Sequence, residues 1–156
     1  MEQTLAPHFS AMQLTDIEAV MQIEQTAYTH PWTRKHFVDV LEAGYQVQLM
    51  QLEQAGEQQL VGYFVAMQGV DEVHLLTVTV APAQQGQGWA SHLLGALHQW
   101  ARSVGAGWVW LEVRISNQQA IRVYQRNGYS VVGQRKNYYP AGQAEREDAV
   151  VMSLQL

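Results

Sequence analysis

The chain of 156 residues contains no cysteine. A thiol nucleophile, a thiolate metal site and a disulfide framework are therefore excluded. The absence of disulfides is typical of a cytoplasmic protein, which is the location we expect. Charged residues are also few, at 15%, against 47% hydrophobic residues. This balance and length predict one packed domain rather than a disordered chain.

Positive charge is scarce, with nine Lys and Arg against fourteen Asp and Glu and a net charge of −5. The basic footprint of a nucleic-acid-binding protein is absent, so we expect no direct nucleic-acid partner. No apolar run approaches the roughly 20 residues that cross a bilayer, and residues 1–5 lack a signal-peptide pattern. We therefore expect no membrane partner. The six histidines show no metal-ligand grouping, and no metal cofactor is expected.

Hydrophobic periodicity predicts eleven elements in the order β-α-α-β-β-β-α-β-α-β-β. The predicted strands are residues 9–13, 45–52, 60–67, 73–80, 108–115, 129–133 and 149–154. The predicted helices follow caps at Thr15 and Thr33, begin at Trp89, and span Gln118–Arg126 after a cap at Asn117. Thr15 and Glu18 have capping-box spacing. Residues 136–147 are interpreted as a mobile polar loop. The result is a single mixed α/β domain over residues 1–156, in which the unit around residues 73–113 favours parallel strand pairing.

A glycine-bearing loop, Gln85-Gly86-Gln87-Gly88-Trp89-Ala90, lies between a predicted buried strand and the start of a helix. Helix starts present unpaired N–H groups and partial positive charge, and glycine lets the backbone approach a ligand. The loop therefore suits a pyrophosphate. An ordinary turn remains the alternative, since the loop has neither the Gly-Lys-Ser/Thr ending of a P-loop nor the third glycine of a dinucleotide fingerprint.

The same loop does match Gln/Arg-x-x-Gly-x-Gly/Ala, the coenzyme A signature of the GNAT superfamily. Residues 111–117, Leu-Glu-Val-Arg-Ile-Ser-Asn, and residues 120–129, Ala-Ile-Arg-Val-Tyr-Gln-Arg-Asn-Gly-Tyr, resemble the next two segments of that family in order and separation. The chain thus resembles a GNAT N-acetyltransferase. The resemblance implies the acyl-CoA N-acyltransferase fold, a central mixed β-sheet flanked by helices, with acetyl-CoA as co-substrate.

A finer resemblance covers about residues 14–154. His30-Pro31-Trp32, residues 137–140 (Asn-Tyr-Tyr-Pro) and residues 146–152 are similar to the RimI branch, the ribosomal-protein-alanine N-acetyltransferases. This implies acetyl transfer to the N-terminal alanine of a small-subunit ribosomal protein, whose N-terminal segment would be the partner. Relatives that acetylate other protein N-termini share several of these features.

The resemblance also implies roles for individual residues. Glu112 matches the family's general base, and Tyr124 matches the general acid that protonates the departing thiolate. The residues implied in coenzyme binding are Val78, Thr79 and Val80 along the pantetheine arm, where a backbone N–H polarises the acetyl carbonyl, then Gly86, Gln87, Gly88, Trp89, Ala90 and Ser91 around the pyrophosphate, and Asn117 at the arm. The lack of cysteine fits direct attack by the amine in a ternary complex, because no acyl-cysteine intermediate is possible.

Each of these residues also has a plainer interpretation. Glu112 is two residues from Arg114 on one strand face and would pair with it, and Tyr124 would be a core tyrosine of an amphipathic helix. Tyr138 and Tyr139 either line a peptide groove or pack on the surface. His30-Pro31-Trp32 either walls the same groove or simply breaks a helix.

Two other function classes stay open at this point: a GNAT enzyme for a small amine, and a non-catalytic acyl-coenzyme-A-binding module. The latter would not need Glu112 or Tyr124. One departure from the family also matters. Residues 83–91 contain no Lys or Arg, so we expect the backbone to carry most of the phosphate binding and the coenzyme to bind more weakly than in arginine-bearing relatives.

Overall fold

The computed structural model describes residues 6–156. The strands are β1 His8–Ala11, β2 Gln46–Gln54, β3 Glu57–Gln68, β4 Glu72–Val80, β5 Trp108–Arg114, β6 Ser130–Ala141 and β7 Glu145–Gln155; the helices are α1 Ile17–Ala27, α2 Arg34–Glu42, α3 Trp89–Ser103 and α4 Gln118–Arg126. Short 3₁₀ turns cover Leu14–Asp16 and Pro82–Gln84. This order is the one that periodicity predicted. The strands form a seven-stranded mixed sheet in the order β1-β2-β3-β4-β5-β7-β6, which confirms the fold class.

The chain divides into two compact units, one containing the chain up to Ala66 with Thr77–Leu93, the other Met67–Leu76 with Leu94–Leu156. In the first unit β1, β2 and β3 pair antiparallel in sequence order. The β2–β3 hairpin turns through Ala55 and Gly56, both with positive φ, as a two-residue hairpin loop requires. Phe37, Tyr63 and Phe64 are fully buried, and the rings of Phe37 and Tyr63 pack edge-on with centroids 6.0 Å apart.

Helix starts in the first unit show one correct and one wrong prediction. Thr33 caps α2, because its Oγ1 accepts a hydrogen bond from His36 N at 3.2 Å. Thr15 does not cap α1. It lies inside the Leu14–Asp16 turn, where the backbone N–H of Gln13 donates to Asp16 Oδ2 at 2.7 Å. Because this turn occupies Leu14–Asp16, the α-helix begins at Ile17, with Asp16 at its N-cap position and no side-chain cap hydrogen bond.

The second unit is built on β5, β7 and β6, which pair antiparallel in that spatial order. The first part of β4 pairs parallel to β5, with Glu72–Leu75 opposite Trp108–Leu111. This confirms the parallel pairing predicted for the strand–helix–strand unit around residues 73–113. Val109 and Leu111 are buried on one face of β5, with Met152 of β7 beside them in the core. Within residues 6–156, no helix combines the length and apolar character that crossing a bilayer requires.

The predicted loop at residues 136–147 is wrong, since β6 and β7 continue as a hairpin to Ala141 and Glu145. The pairing register shifts between Arg135 and Tyr139, where Asn137 takes a φ of 52°. Arg146 stabilises this bulge, donating from Nε to Asn137 O and from Nη2 to Tyr138 O, each at 2.8 Å. The segment looked like a loop because its residues are polar, yet side-chain bonds across the hairpin hold it extended.

Candidate functional site

The glycine loop after β4 has an open backbone. Gly86 and Gly88 have φ values of 79° and 84°, in the left-handed region that glycine favours, and a Cβ at either would meet no atom within 4 Å. Gln85, the first residue of the signature, does not point outward to a ligand. Its Nε2 donates to Val80 O at 3.1 Å and ties the loop to the end of β4.

The first turn of α3 follows this loop directly at Trp89. Backbone N–H groups in a first helical turn have no intrahelical acceptor and carry partial positive charge. The Trp89 ring lies 5.2 Å from the His92 ring, and its Nε1 is buried with no hydrogen-bond partner among residues 6–156. A buried donor without an acceptor, beside an open glycine loop, fits a site whose acceptor atoms belong to a bound anion.

The end of β4 presents backbone donors along one edge. Ala81 N donates to Val61 O at 2.8 Å, so every second residue before it directs its N–H toward β3. The N–H groups of Val78 and Val80 therefore point to the edge away from β3. The carbonyl of Val78 points to the same edge, where it accepts a hydrogen bond from the Tyr28 hydroxyl at 3.2 Å. Thr79 is only 3% exposed, and its Oγ1 lies 2.7 Å from the same hydroxyl.

A buried carboxylate that sequence reasoning missed supports the segment between α1 and α2. Glu24 accepts from the Tyr63 hydroxyl at 2.6 Å and from the backbone N–H of Trp32 at 2.9 Å. Burial raises the pKa of Glu24, more than these hydrogen bonds lower it. The available signal was its position three residues after Met21, on the apolar stripe of the helix.

Trp32 itself is half-buried, with its ring 5.3 Å from that of Phe37. Together with Pro31 and Arg34 it lines an open cleft of about 370 Å³ against α1. This packing does not test whether His30-Pro31-Trp32 forms the wall of a peptide groove, and that role stays a prediction.

Glu112 lies on β5 in the second unit, with its side chain 7% exposed. Its Oε2 is 2.7 Å from His74 Nε2, and its Oε1 is 3.5 Å from Arg135 Nε. The alternative pairing with Arg114 is wrong. Arg114 Nη1 instead donates to Glu147 Oε1 and to the carbonyl of Pro140, both at 2.8 Å.

Arg114 pairs with Glu147 rather than with Glu112 because the β6–β7 hairpin places the Glu147 carboxylate and the Pro140 carbonyl beside it. The spacing of residues along β5 gives no sign of these acceptors. The Arg114 guanidinium lies 4.6 Å above the Tyr139 ring and, by its hydrogen bond, lowers the pKa of Glu147. Burial raises the pKa of Tyr139. Tyr138 is more exposed, and its ring meets that of Tyr139 edge-on at 4.9 Å.

Tyr124 and Asn117 belong to α4 and its start. Tyr124 is 9% exposed and packs edge-on against Tyr129, with ring centroids 5.6 Å apart. Asn117 caps the helix, since its Oδ1 accepts from Ala120 N at 3.2 Å. This confirms the cap predicted at Asn117; the side-chain oxygen that makes it is therefore already engaged within the protein.

The sequence-predicted site residues thus fall into two groups. The first unit contains the coenzyme-binding candidates of β4 and the glycine loop: Val78, Thr79, Val80, Gly86, Gln87, Gly88, Trp89, Ala90 and Ser91. The second unit contains Glu112, Asn117 and Tyr124. Sequence reasoning missed His74 and Arg135, whose nitrogen atoms lie 2.7 and 3.5 Å from the Glu112 carboxylate oxygens. No motif marks them, because they come from strands β4 and β6.

The chain belongs to the acetyltransferase (GNAT) family, which it matches over residues 17–129, and it is an acyltransferase. The ribosomal protein bS18-alanine N-acetyltransferase of Escherichia coli K12 is 35% identical over 145 residues, covering 93% of this chain and 95% of that protein. The enzyme of the same description from Haemophilus ducreyi is 34% identical over 141 residues, covering 90% and 94%.

Solved structures show the same likeness. The crystal structure of the ribosomal-protein-S18-alanine N-acetyltransferase from Escherichia coli superposes with a TM-score of 0.84 at 34% identity, covering 96% of this chain and 94% of that one. Ard1 from Thermoplasma volcanium reaches 0.83 at 26% identity over 97% and 99% of the two chains. An acetyltransferase from Salmonella typhimurium, solved with acetyl-CoA, shares the fold at 22% identity and a TM-score of 0.77.

Proposed function

We propose that this protein transfers the acetyl group of acetyl-CoA to the α-amine of the N-terminal alanine of ribosomal protein bS18. The observation that carries the proposal is the relationship to bS18-alanine N-acetyltransferases at 34–35% identity over at least nine-tenths of each chain. We further propose that residues 1–156 act as one catalytic domain in the cytoplasm.

In this proposal the coenzyme is held mainly by backbone groups. The open glycine loop, the first-turn donors at Trp89 and Ala90 and the N–H groups of Val78 and Val80 supply hydrogen bonds to the diphosphate and the acyl arm. A backbone N–H at β4 polarises the thioester carbonyl as it becomes negative. The absence of Lys and Arg from residues 83–91 supports weaker coenzyme binding than in arginine-bearing relatives.

Glu112 is proposed as the general base. An α-amine has an ordinary pKa of about 7.7–8.0, far below the ~10.4 of a lysine side chain, so a weak base suffices near neutral pH. The Glu112 carboxylate is nearly buried yet held by His74 and Arg135, which keeps it ordered and available to accept a proton directly or through water.

Tyr124 is proposed as the general acid that protonates the coenzyme thiolate as it leaves. Its ring packs edge-on against that of the buried Tyr129. The thiolate would otherwise leave as an unstabilised anion, so a nearby phenol lowers the barrier. Asn117, at the start of the same helix, is proposed to contact the coenzyme arm.

Trp32 and the Tyr138–Tyr139 pair are each proposed to contact the acceptor peptide. Within the first unit, Glu24 accepts a hydrogen bond from the backbone N–H of Trp32. Within the second unit, the Arg114 guanidinium lies over the Tyr139 ring, so each aromatic residue has a contact that restrains it. Fixed aromatic side chains lose little conformational entropy when a flexible peptide terminus binds them.

Mass spectrometry of a synthetic peptide with the bS18 N-terminal sequence tests the function. Purified protein with acetyl-CoA is expected to add one acetyl group to the α-amine of the peptide's alanine. A peptide with a blocked N-terminus and a free lysine is the control and should stay unmodified. Acetylation of the lysine peptide or of a polyamine, with none at the alanine terminus, would refute the proposed acceptor.

A further inference from the structure

His74 occupies a defined place beside the proposed base. It stands opposite Trp110 in the parallel pairing of β4 and β5. The two rings are stacked, with centroids 3.7 Å apart and planes 5° from parallel. Such stacking leaves the imidazole little freedom to rotate, and it directs Nε2 along β5 toward the residue two positions beyond Trp110, which is Glu112.

The contact between these side chains is short and well protected from water. Nε2 of His74 lies 2.7 Å from Oε2 of Glu112, and the two side chains are 13% and 7% exposed. An ionised carboxylate only accepts hydrogen bonds, so Nε2 must carry the proton. The other charged and titratable neighbours come from β6: Arg135 lies 3.5 Å from Oε1, and Tyr139 lies near enough that the Glu112 charge raises the pKa of its hydroxyl.

We infer that His74 is a positioning residue for acetyl transfer: its Nε2–H holds Oε2 of Glu112 and leaves Oε1 as the oxygen that accepts the proton of the attacking amine. The inference rests on the proposed role of Glu112. In the step, the amine nitrogen bonds to the acetyl carbon, the carbon–sulfur bond breaks, and the amine proton passes to Oε1. The coenzyme A thiolate leaves and takes its proton from Tyr124, the proposed acid. His74 keeps its own proton throughout and so orients the carboxylate without exchanging with it.

Kinetics of His74 variants test this role. His74→Gln places an amide N–H where Nε2 was and should retain kcat within about threefold, whereas His74→Leu keeps the apolar contact with Trp110 but lacks the donor. His74→Leu should lower kcat about tenfold with the KM for acetyl-CoA unchanged, as expected for one lost hydrogen bond to a charged group. His8→Gln, at an exposed position of β1, is the matched control.

A double-mutant cycle separates positioning from structural support. In a Glu112→Gln background, His74→Leu should change the residual kcat less than about twofold, because the partner that it positions is gone. An equal tenfold loss in both backgrounds would show that His74 only supports the strand. Wild-type kcat in His74→Leu would likewise overturn the inference.

Imidazole nitrogen NMR gives a readout that needs no acceptor. The His74 signals, identified by their loss in His74→Gln, should show Nε2 protonated at neutral pH in the wild type, and they should move in Glu112→Gln. A neutral ring with the proton on Nδ1 would overturn the inference even if the peptide is acetylated. If the peptide is not acetylated, but Nε2 is protonated and its signal moves in Glu112→Gln, the proposed acceptor is wrong while the hydrogen bond from His74 to Glu112 is supported.

Discussion

At the scale of single residues, the proposed site depends on partners that lie far away in sequence. Glu112 is bonded to His74, 38 positions earlier, and approached by Arg135 from β6. A carboxylate with 7% of its side chain exposed needs such partners, because burying an unpaired charge is costly. These contacts keep Glu112 in one orientation, which its proposed role as a base requires.

Glu112→Gln should lower kcat about 100-fold or more near neutral pH, in the range that general-base catalysis contributes. The dissociation constant for acetyl-CoA should stay within about twofold of the wild-type value, since Glu112 is not among the residues proposed to bind the coenzyme. Steady-state rates and isothermal titration measure the two effects. Glu145→Gln, an exposed carboxylate at the start of β7, is the control and should keep wild-type rates. Unchanged turnover in Glu112→Gln would remove Glu112 from the catalytic role.

Tyr124→Phe should slow the release of coenzyme A thiol while peptide and acetyl-CoA binding persist. The change removes only the hydroxyl, so the edge-on contact with Tyr129 is kept. Thiol release followed with a chromogenic disulfide gives the rate. If that rate equals the wild-type rate at saturating substrates, another group must supply the proton.

Gln87→Arg should tighten acetyl-CoA binding about threefold to tenfold. The side chain is exposed in a loop without Lys or Arg, so the new charge would add attraction to the diphosphate that backbone donors lack. Titration at low and high ionic strength should show the gain shrinking with salt. Gln99→Arg, on an exposed position of α3, adds the same charge elsewhere and serves as the comparison; an equal gain there would mean a general charge effect.

At the scale of elements, helix and strand boundaries follow local chemistry where a cap or turn is decisive. Thr33 starts α2 and Asn117 starts α4 through side-chain oxygens that accept backbone N–H groups. The β6–β7 hairpin differs, because its polar residues are held extended by side-chain bonds of Arg146 to its opposite strand. This hairpin also carries Tyr138 and Tyr139, so its order bears on the proposed acceptor groove.

Thr33→Ala should lower the free energy of unfolding by about 1 kcal/mol, the usual value of an N-cap hydroxyl. Thr33→Ser keeps an accepting hydroxyl and should lose a few tenths at most. Thr15→Ala is the matched control, since Thr15 does not cap α1, and its effect should stay within about 0.5 kcal/mol. Urea denaturation followed by circular dichroism measures all three. Equal losses at Thr15 and Thr33 would contradict the assignment of the cap.

At the scale of the whole molecule, the response to acid should reflect buried titratable groups more than the net charge of −5. His98, on α3, is bonded through Nε2 to the Tyr129 hydroxyl at 2.8 Å. Burial, with a smaller contribution from the nearby Arg102 charge, lowers the pKa of His98 to about 4. The pKa of Glu24 shifts in the opposite direction, because burial raises it.

The sign of the His98 effect follows from proton linkage. The unfolded chain, with a His pKa near 6.5, binds the proton first, so the folded state loses stability as pH falls from about 6.5 to about 4. His98→Gln cannot bind this proton, and its unfolding free energy should fall less over that range. Urea denaturation at several pH values gives the difference, and His8→Gln shows whether losing an exposed histidine does the same. A difference that stays constant from pH 7 to pH 4 would contradict the predicted linkage.

The sequence alone determined the order of elements, the fold class and the residues that resemble a coenzyme signature and an acid–base pair. Periodicity and caps act over a few neighbouring residues, so Thr33, Asn117 and the open glycines of residues 85–90 were predictable without the structure. The comparisons then established the family and the acyltransferase class.

Only the tertiary structure decided which side chains meet. The partner of Glu112 is His74 and that of Arg114 is Glu147, because strands β4 and β7 bring distant residues beside β5. Residues 136–147 look like a loop in the sequence because they are polar, whereas their pairing in the β6–β7 hairpin keeps them extended. Hydrogen bonds and ion pairs form between whatever the sheet places at contact distance, and sheet neighbours need not be sequence neighbours.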